Sequence, residues 1–167
     1  MVFGRKTLPP AVSRDLESRV PGARALAWAA GPDDSWAVAL DSALAIGRRG
    51  QWEVHGWHLL QAGGWNRDSS SLRWTTNTDE RGSIVLDDPG RVPEVFNERV
   101  MASIVVQQNF DAPGGGRVMV AGRRALGAAG GATVWQAVSQ GRADLDDPQV
   151  RAFVLARTTE LQEQYDL

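Results

Sequence analysis

His55 and His58 are the only two histidines among the 167 residues, and their His-x-x-His spacing is the pattern that most invites a metal reading. On a continuous strand, side chains alternate between faces. An offset of three therefore puts the two imidazoles on opposite sides unless Gly56 breaks the strand. No cysteine exists to complete a ligand set, and the flanking residues do not form His-Glu-x-x-His. The residues thus assign no metal and no cofactor, and both histidines read as strand residues beside tryptophan. The missing cysteines also exclude disulfides, thiolate sites and a cysteine nucleophile. A small enzyme would have to use His55 or His58 as general base, with a carboxylate such as Glu53 or Asp41 to orient it. That is the alternative reading.

Three acidic pairs, Asp33–Asp34, Asp87–Asp88 and Asp146–Asp147, could supply acid–base chemistry or bind a divalent ion. Two of them precede a proline at a predicted helix start and the third follows Gly31–Pro32, so capping and turn formation account for all three. Gly114–Gly115–Gly116–Arg117 lacks the Gly-Lys-Ser/Thr of a phosphate loop and reads as a hairpin tip. Ser69–Ser70–Ser71 has no histidine at useful spacing and no nucleophile elbow around it. No catalytic residue is assigned. Arg48–Arg49 and Arg123–Arg124 lie near predicted strand ends, where exposed arginines guard against edge-to-edge pairing or meet an acidic partner.

The 18 basic and 20 acidic residues leave a net charge of −2, without the basic surplus that nucleic-acid binding draws on. Nucleic acid is therefore excluded as a partner class. Met1–Val2–Phe3 leads into Gly4, Arg5 and Lys6 rather than an apolar run, and no stretch approaches the ~20 residues of a membrane span. The expected location is cytoplasmic, with no transmembrane segment.

These residues need elements to hold them. Val12, Leu16 and Val20 recur at helical spacing between Pro9–Pro10 and Pro21–Gly22, which predicts a short amphipathic helix. From Arg24 the period becomes two. Leu26, Trp28 and Ala30, then Trp36, Val38 and Leu40, then Leu44 and Ile46 begin a run of about seven strands at hairpin spacing. It continues through Trp52–Val54, Trp57–Leu59 leading to Trp65, Leu72–Thr76 and Ile84–Leu86. Six of the seven tryptophans fall between positions 28 and 74. Trp28, Trp36, Trp57 and Trp74 sit among apolar residues and are expected on the inner face of one barrel. Trp52 and Trp65 lie beside turns and are the candidates for a partner-binding role.

Val92, Val95, Phe96, Val100 and Ile104 then form one helical stripe. After it come a meander of two or three strands with turns at Gly114–Gly116 and Gly127–Gly131, and a last helix carrying Val150, Phe153, Val154, Leu161 and Tyr165. The expected fold is α+β in three segments. Residues 1–23 hold the N-terminal helix, 24–105 a bent antiparallel sheet capped by a helix, and 106–167 a hairpin or meander plus a final helix packed on it as one domain.

About seven antiparallel strands followed by one amphipathic helix, over residues 24–105, resembles the pleckstrin-homology (PH) superfold. The stretch Trp52–Glu53–Val54–His55–Gly56–Trp57–His58–Leu59–Leu60 looks like the tryptophan-containing middle strands of small bacterial PH-like domains. The whole chain looks like actinobacterial proteins in which such a domain precedes a glycine-rich hairpin and a final helix. The resemblance implies a partly open barrel and a non-enzymatic binding or scaffold role. A peptide or protein would be met at a sheet edge or in the groove beside the 91–105 helix. It also implies a basic first loop where phosphoinositides are bound. Here that loop is Gly31–Pro32–Asp33–Asp34, which repels phosphate and disfavours such lipids. A homodimer, pairing through the 118–138 hairpin or the last helix, is a third reading.

Overall fold

The computed structural model describes residues 7–127 and 131–167. The first six residues of the predicted N-terminal segment, and residues 128–130 of the predicted Gly127–Gly131 turn, lie outside the described residues. The fold is α+β. Among the described residues there are three α-helices and three antiparallel sheets, and no sheet closes into a barrel. No helix among them is long and apolar enough to cross a membrane. The chain divides into two compact units, Met1–Arg99 and Val100–Leu167.

In the first unit, α1 (Pro10–Arg19) starts with proline at a first-turn position, where a missing N–H costs nothing. It buries Val12 and Leu16, one helical turn apart, and stops at Val20, whose N–H donates to Leu16 O at 2.8 Å. A four-stranded meander follows in the order β1 (Ala25–Gly31), β2 (Ser35–Leu40), β3 (Ala43–Arg48), β4 (Gln51–Gly56). Asp33 and Asp34 turn the chain between β1 and β2 with φ of 56° and 57°, a left-handed pair that matches the twist of the flanking strands.

Register separates the two faces of this sheet. Trp28 opposes Val38, Val38 opposes Ala45, and Trp36 opposes Gly47, which opposes Trp52. These residues share one face, and Val12 and Leu16 of α1 pack against Val38, Leu40 and Ala45 there. Trp28, Trp36 and Trp52 complete that cluster and are only half-buried. The expectation that Trp28 and Trp36 line the interior of a barrel is therefore corrected. The chain already supplies α1 as a cover, and indoles at its margin keep one edge in water. On the opposite face, Ala37, Leu44 and Ile46 are fully buried.

The predicted strand through Trp57–Leu59 is instead a single 3-10 turn, because β4 ends at Gly56. Trp57 is fully buried. Its Nε1–H donates to Leu40 O at 2.9 Å, and its ring meets Phe96 edge-on at 5.6 Å. Such a ring pair adds about 1 kcal/mol beyond its buried area. A second meander follows, β5 (Leu60–Asn66), β6 (Ser71–Thr76) and β7 (Arg81–Val85), so the expected seven strands are all present. The end of β7 is fastened to the first sheet at three places. Asp87 N–H donates to Ala30 O at 2.9 Å, Arg48 Nη2 donates to Ser83 O at 2.5 Å, and Gly31 lies so close to Val85 that a Cβ would strike its carbonyl.

The helix α2 (Val92–Ala102) carries the predicted stripe through Val100, but Ile104 is not on it. Ile104 opens β8 (Ile104–Asp111). The reason is local: Ser103 Oγ–H donates to Val100 O at 2.6 Å and closes the helix, and the β-branched run Ile104–Val105–Val106 favours a strand. In the second unit, β8, β9 (Arg117–Arg123) and β10 (Val134–Gln140) form a meander with β9 central. Gly114, Gly115 and Gly116 all have positive φ at the β8–β9 tip. Asp147 caps α3 (Pro148–Tyr165) by accepting from Gln149 N–H at 2.9 Å, the capping role expected of that pair. The helix buries Val150 and Leu161 against Val118, Val106 and Val120.

Candidate functional site

Two concave surfaces of the first unit bring polar side chains together. The smaller, a cleft of about 310 Å³, lies where the interior face of β3–β4 meets β6 and β7. Its walls carry Arg48, Glu53 and His55 from the first sheet and Trp74, Thr76 and Arg81 from the second. Glu53 and His55 are two apart on β4, so strand alternation puts both on this face. His55 Nε2 is 3.4 Å from Glu53 Oε2, and Arg48 Nη1 is 3.8 Å from Glu53 Oε1. The imidazole stands 5.9 Å from the Trp74 ring, and Trp74 in turn lies over Gly82. Thr76 Oγ1 accepts the N–H groups of Thr78 and Glu80 at 3.3 and 3.1 Å, which folds the 77–80 loop back onto the rim.

The histidines part company because the strand ends between them, at Gly56. His55 lines the cleft, whereas His58 sits on the 3-10 turn with its ring over Gly56 and is not among the lining residues. Among the described residues, no group of three or more His, Cys, Asp or Glu side chains gathers as a metal site. Asp41, the other carboxylate considered beside a histidine, accepts Arg24 N–H at 3.0 Å and serves the end of the β1–β2 ladder.

The larger surface is a groove of about 720 Å³ along β1. Leu26 and Trp28 line its length, Leu8 and Ser13 one side, and Asp87, Asp88 and Arg91 the end before α2. β1 is an edge strand that ladders with β2 alone. Arg91 is committed to Glu94 through a forked contact at 3.2 and 3.3 Å. This hydrogen bond and the adjacent charge hold the Glu94 carboxyl below its ordinary range. Asp88 Oδ1 accepts Gly90 N–H at 3.0 Å, a turn contact rather than the helix cap expected from sequence. With Arg91 neutralised by Glu94, the groove end is acidic.

The arginine pairs prove unlike one another. Arg48 spans the two sheets as described, and Arg49 is an exposed turn residue with φ of 50°. Arg123 corrects the expectation of an exposed strand-end arginine, being 2% exposed. Its Nε and Nη2 donate to Ser103 Oγ at 2.9 and 2.6 Å, Nη2 to Val100 O at 3.1 Å, and Nη1 to Gln136 Oε1 at 3.3 Å. Burial lowers its pKa to about 10. It braces the end of α2. Arg124 is half-buried and donates to Thr133 Oγ1 at 3.0 Å. Trp52 packs over Gly47 on the α1 face, and Trp65 lines a third concavity on the second sheet.

Thr76, Arg81 and Ser83 went unnoticed in the sequence because nothing local distinguishes them from ordinary strand residues. Compared with known proteins, the chain matches no family model, no curated protein and no solved structure.

Proposed function

We propose that the first unit is a PH-like recognition module without catalytic activity of its own, and that it takes up an extended, basic-and-apolar peptide along the β1 groove. The observation that carries this is an edge strand whose groove runs into the turn before α2 and ends in Asp87 and Asp88. A strand added to β1 gains main-chain hydrogen bonds, while Leu26 offers apolar contact and the two carboxylates select a basic side chain. The order of four strands, three strands and a helix supports the PH-like assignment. The acidic, tightly turned Asp33–Asp34 loop supports a protein ligand over a phosphoinositide. The proposed setting is the cytoplasm.

A second reading draws on the cleft, where His55 and Glu53 lie 3.4 Å apart beside Arg81 and Thr76. There His55 would act as general base with Glu53 orienting it. One set of measurements separates the two. The full chain is panned against a displayed random-peptide library and, in parallel, screened for turnover on a broad substrate panel. Enriched basic-apolar peptides that lose binding with Leu26→Asp, and weaken with Asp87→Asn, support the groove. Enrichment that is absent, or indifferent to Leu26→Asp, overturns it. Turnover abolished by His55→Gln would put the enzyme in its place.

A further inference from the structure

The outer face of the second sheet holds a pair of arginines, of which Arg81 also borders the His55 cleft. Register places its residues in rows across β5, β6 and β7: Ala62 beside Thr75 beside Arg81, and Gly64 beside Arg73 beside Ser83. Strand alternation puts these six side-chain positions on one face. Only the two arginines are bulky. The small residues around them leave a concavity of about 660 Å³, lined by eleven residues that include both arginines, Asn66 and Trp65 but no carboxylate. In a chain of net charge −2, that is a local excess of two positive charges.

The arginines are also uncommitted. Among the described residues neither Arg73 nor Arg81 makes an ion pair, and both are exposed. Arg73 has one hydrogen bond, from Nη2 to Ser69 Oγ at 3.2 Å. Glu80, next to Arg81 in sequence, lines the neighbouring cleft, which Arg81 and Ser83 also border, and is not among the residues of this concavity. Residues on diagonal positions of adjacent antiparallel strands stand roughly 7–8 Å apart, so two guanidinium forks can converge on one oxyanion between them. Thr75 and Ser83 stand beside them with hydroxyls to donate.

We infer that this concavity binds a small molecule through an oxyanion, a carboxylate or phosphate group held between Arg73 and Arg81 with hydrogen bonds from Thr75 and Ser83. The size falls within the range of small-ligand sites, roughly 300–1,000 Å³. Two charges are too few for the extended phosphate contacts of a nucleic acid.

The test is a titration of the ¹⁵N-labelled full chain with sodium phosphate, sodium acetate and sodium chloride at constant ionic strength. Saturable amide shifts at Arg73, Thr75, Arg81 and Ser83 are expected with an oxyanion and not with chloride. Phosphate alone points to a phosphate ester, and acetate to a carboxylate. The Arg73→Ala/Arg81→Ala variant, both positions being exposed, should keep the spectrum of a folded chain and bind at least tenfold more weakly. Arg14→Ala on α1 should bind as the parent does. Shifts that chloride reproduces, or saturable binding that survives the double substitution, overturn the inference.

Discussion

Removing the Arg123 guanidinium tests whether the second unit depends on a buried cation. Lowering its pKa to about 10 corresponds to roughly 3 kcal/mol against the charged form inside the protein. The contacts to Ser103, Val100 and Gln136 help offset that cost. Hydrogen bonds from a charged donor contribute about 1.5–3 kcal/mol each, and the two to Ser103 are the shortest. Arg123→Met keeps most of the stem volume and removes the burial cost. It also removes the guanidinium bonds to Ser103 Oγ and Gln136 Oε1 and unbraces the end of α2.

The bonds outweigh the cost on this reckoning, so a net loss of about 1–3 kcal/mol is expected. Hydrogen exchange followed by mass spectrometry is the suitable assay, because two units need not unfold together. Six of the seven tryptophans lie before residue 75, so tryptophan fluorescence would report chiefly on the first unit. Protection should fall in peptides spanning 100–124 and 134–140 and persist in those spanning 35–48. The pH dependence has a defined sign. Above about pH 10 the folded state releases the proton while the unfolded arginine keeps it, so the unfolded state binds more protons and this group's contribution rises with pH. The difference between parent and Arg123→Met should be flat from pH 6 to 9 and widen above pH 10. A variant as protected as the parent, or one whose losses fall only in 35–48, would refute the argument.

Two further substitutions probe the first unit and the cap of α3. Gly82→Ala puts a methyl into the Trp74 indole. A cost of about 1–3 kcal/mol and a changed His55 ring shift are expected by urea unfolding and NMR, since Trp74 also lies against His55. Asp147→Ala removes the acceptor for Gln149 N–H. It should cost about 1 kcal/mol, read as faster exchange in the first turn of α3 with the β8–β9–β10 ladder unchanged.

Much of the architecture is legible in local patterns. Period-two runs between glycine- and aspartate-rich turns mark the strands of the first unit. The proline-flanked Val12–Leu16–Val20 spacing marks α1, and Asp147–Pro148 marks the start of α3. The helix stripe misleads at Ile104, because a 3.6 period read forward does not see Ser103 closing the helix and Arg123 bracing it from β9. Arg123 shows the same limit more sharply. Its position near a strand end implies exposure only if nothing covers that face, and Val100, Ser103 and Gln136 come from other elements.

The sequence by itself determined which chemistries are absent and which elements form. No cysteine means no thiolate, and turn residues sit where the chain reverses. All of these depend on neighbours within a few positions. Tertiary structure decided which side chains meet. Glu53 and His55 point the same way by alternation, but Trp74 and Thr76 meet them in one cleft only because the second meander is fastened to β1 and β3 at Ala30 and Arg48. Arg73 and Arg81 take diagonal positions on one face through the β6–β7 register, and α1 makes one face of the first sheet a cluster of half-buried tryptophans. Long-range pairing sets those meetings, and no local pattern encodes it.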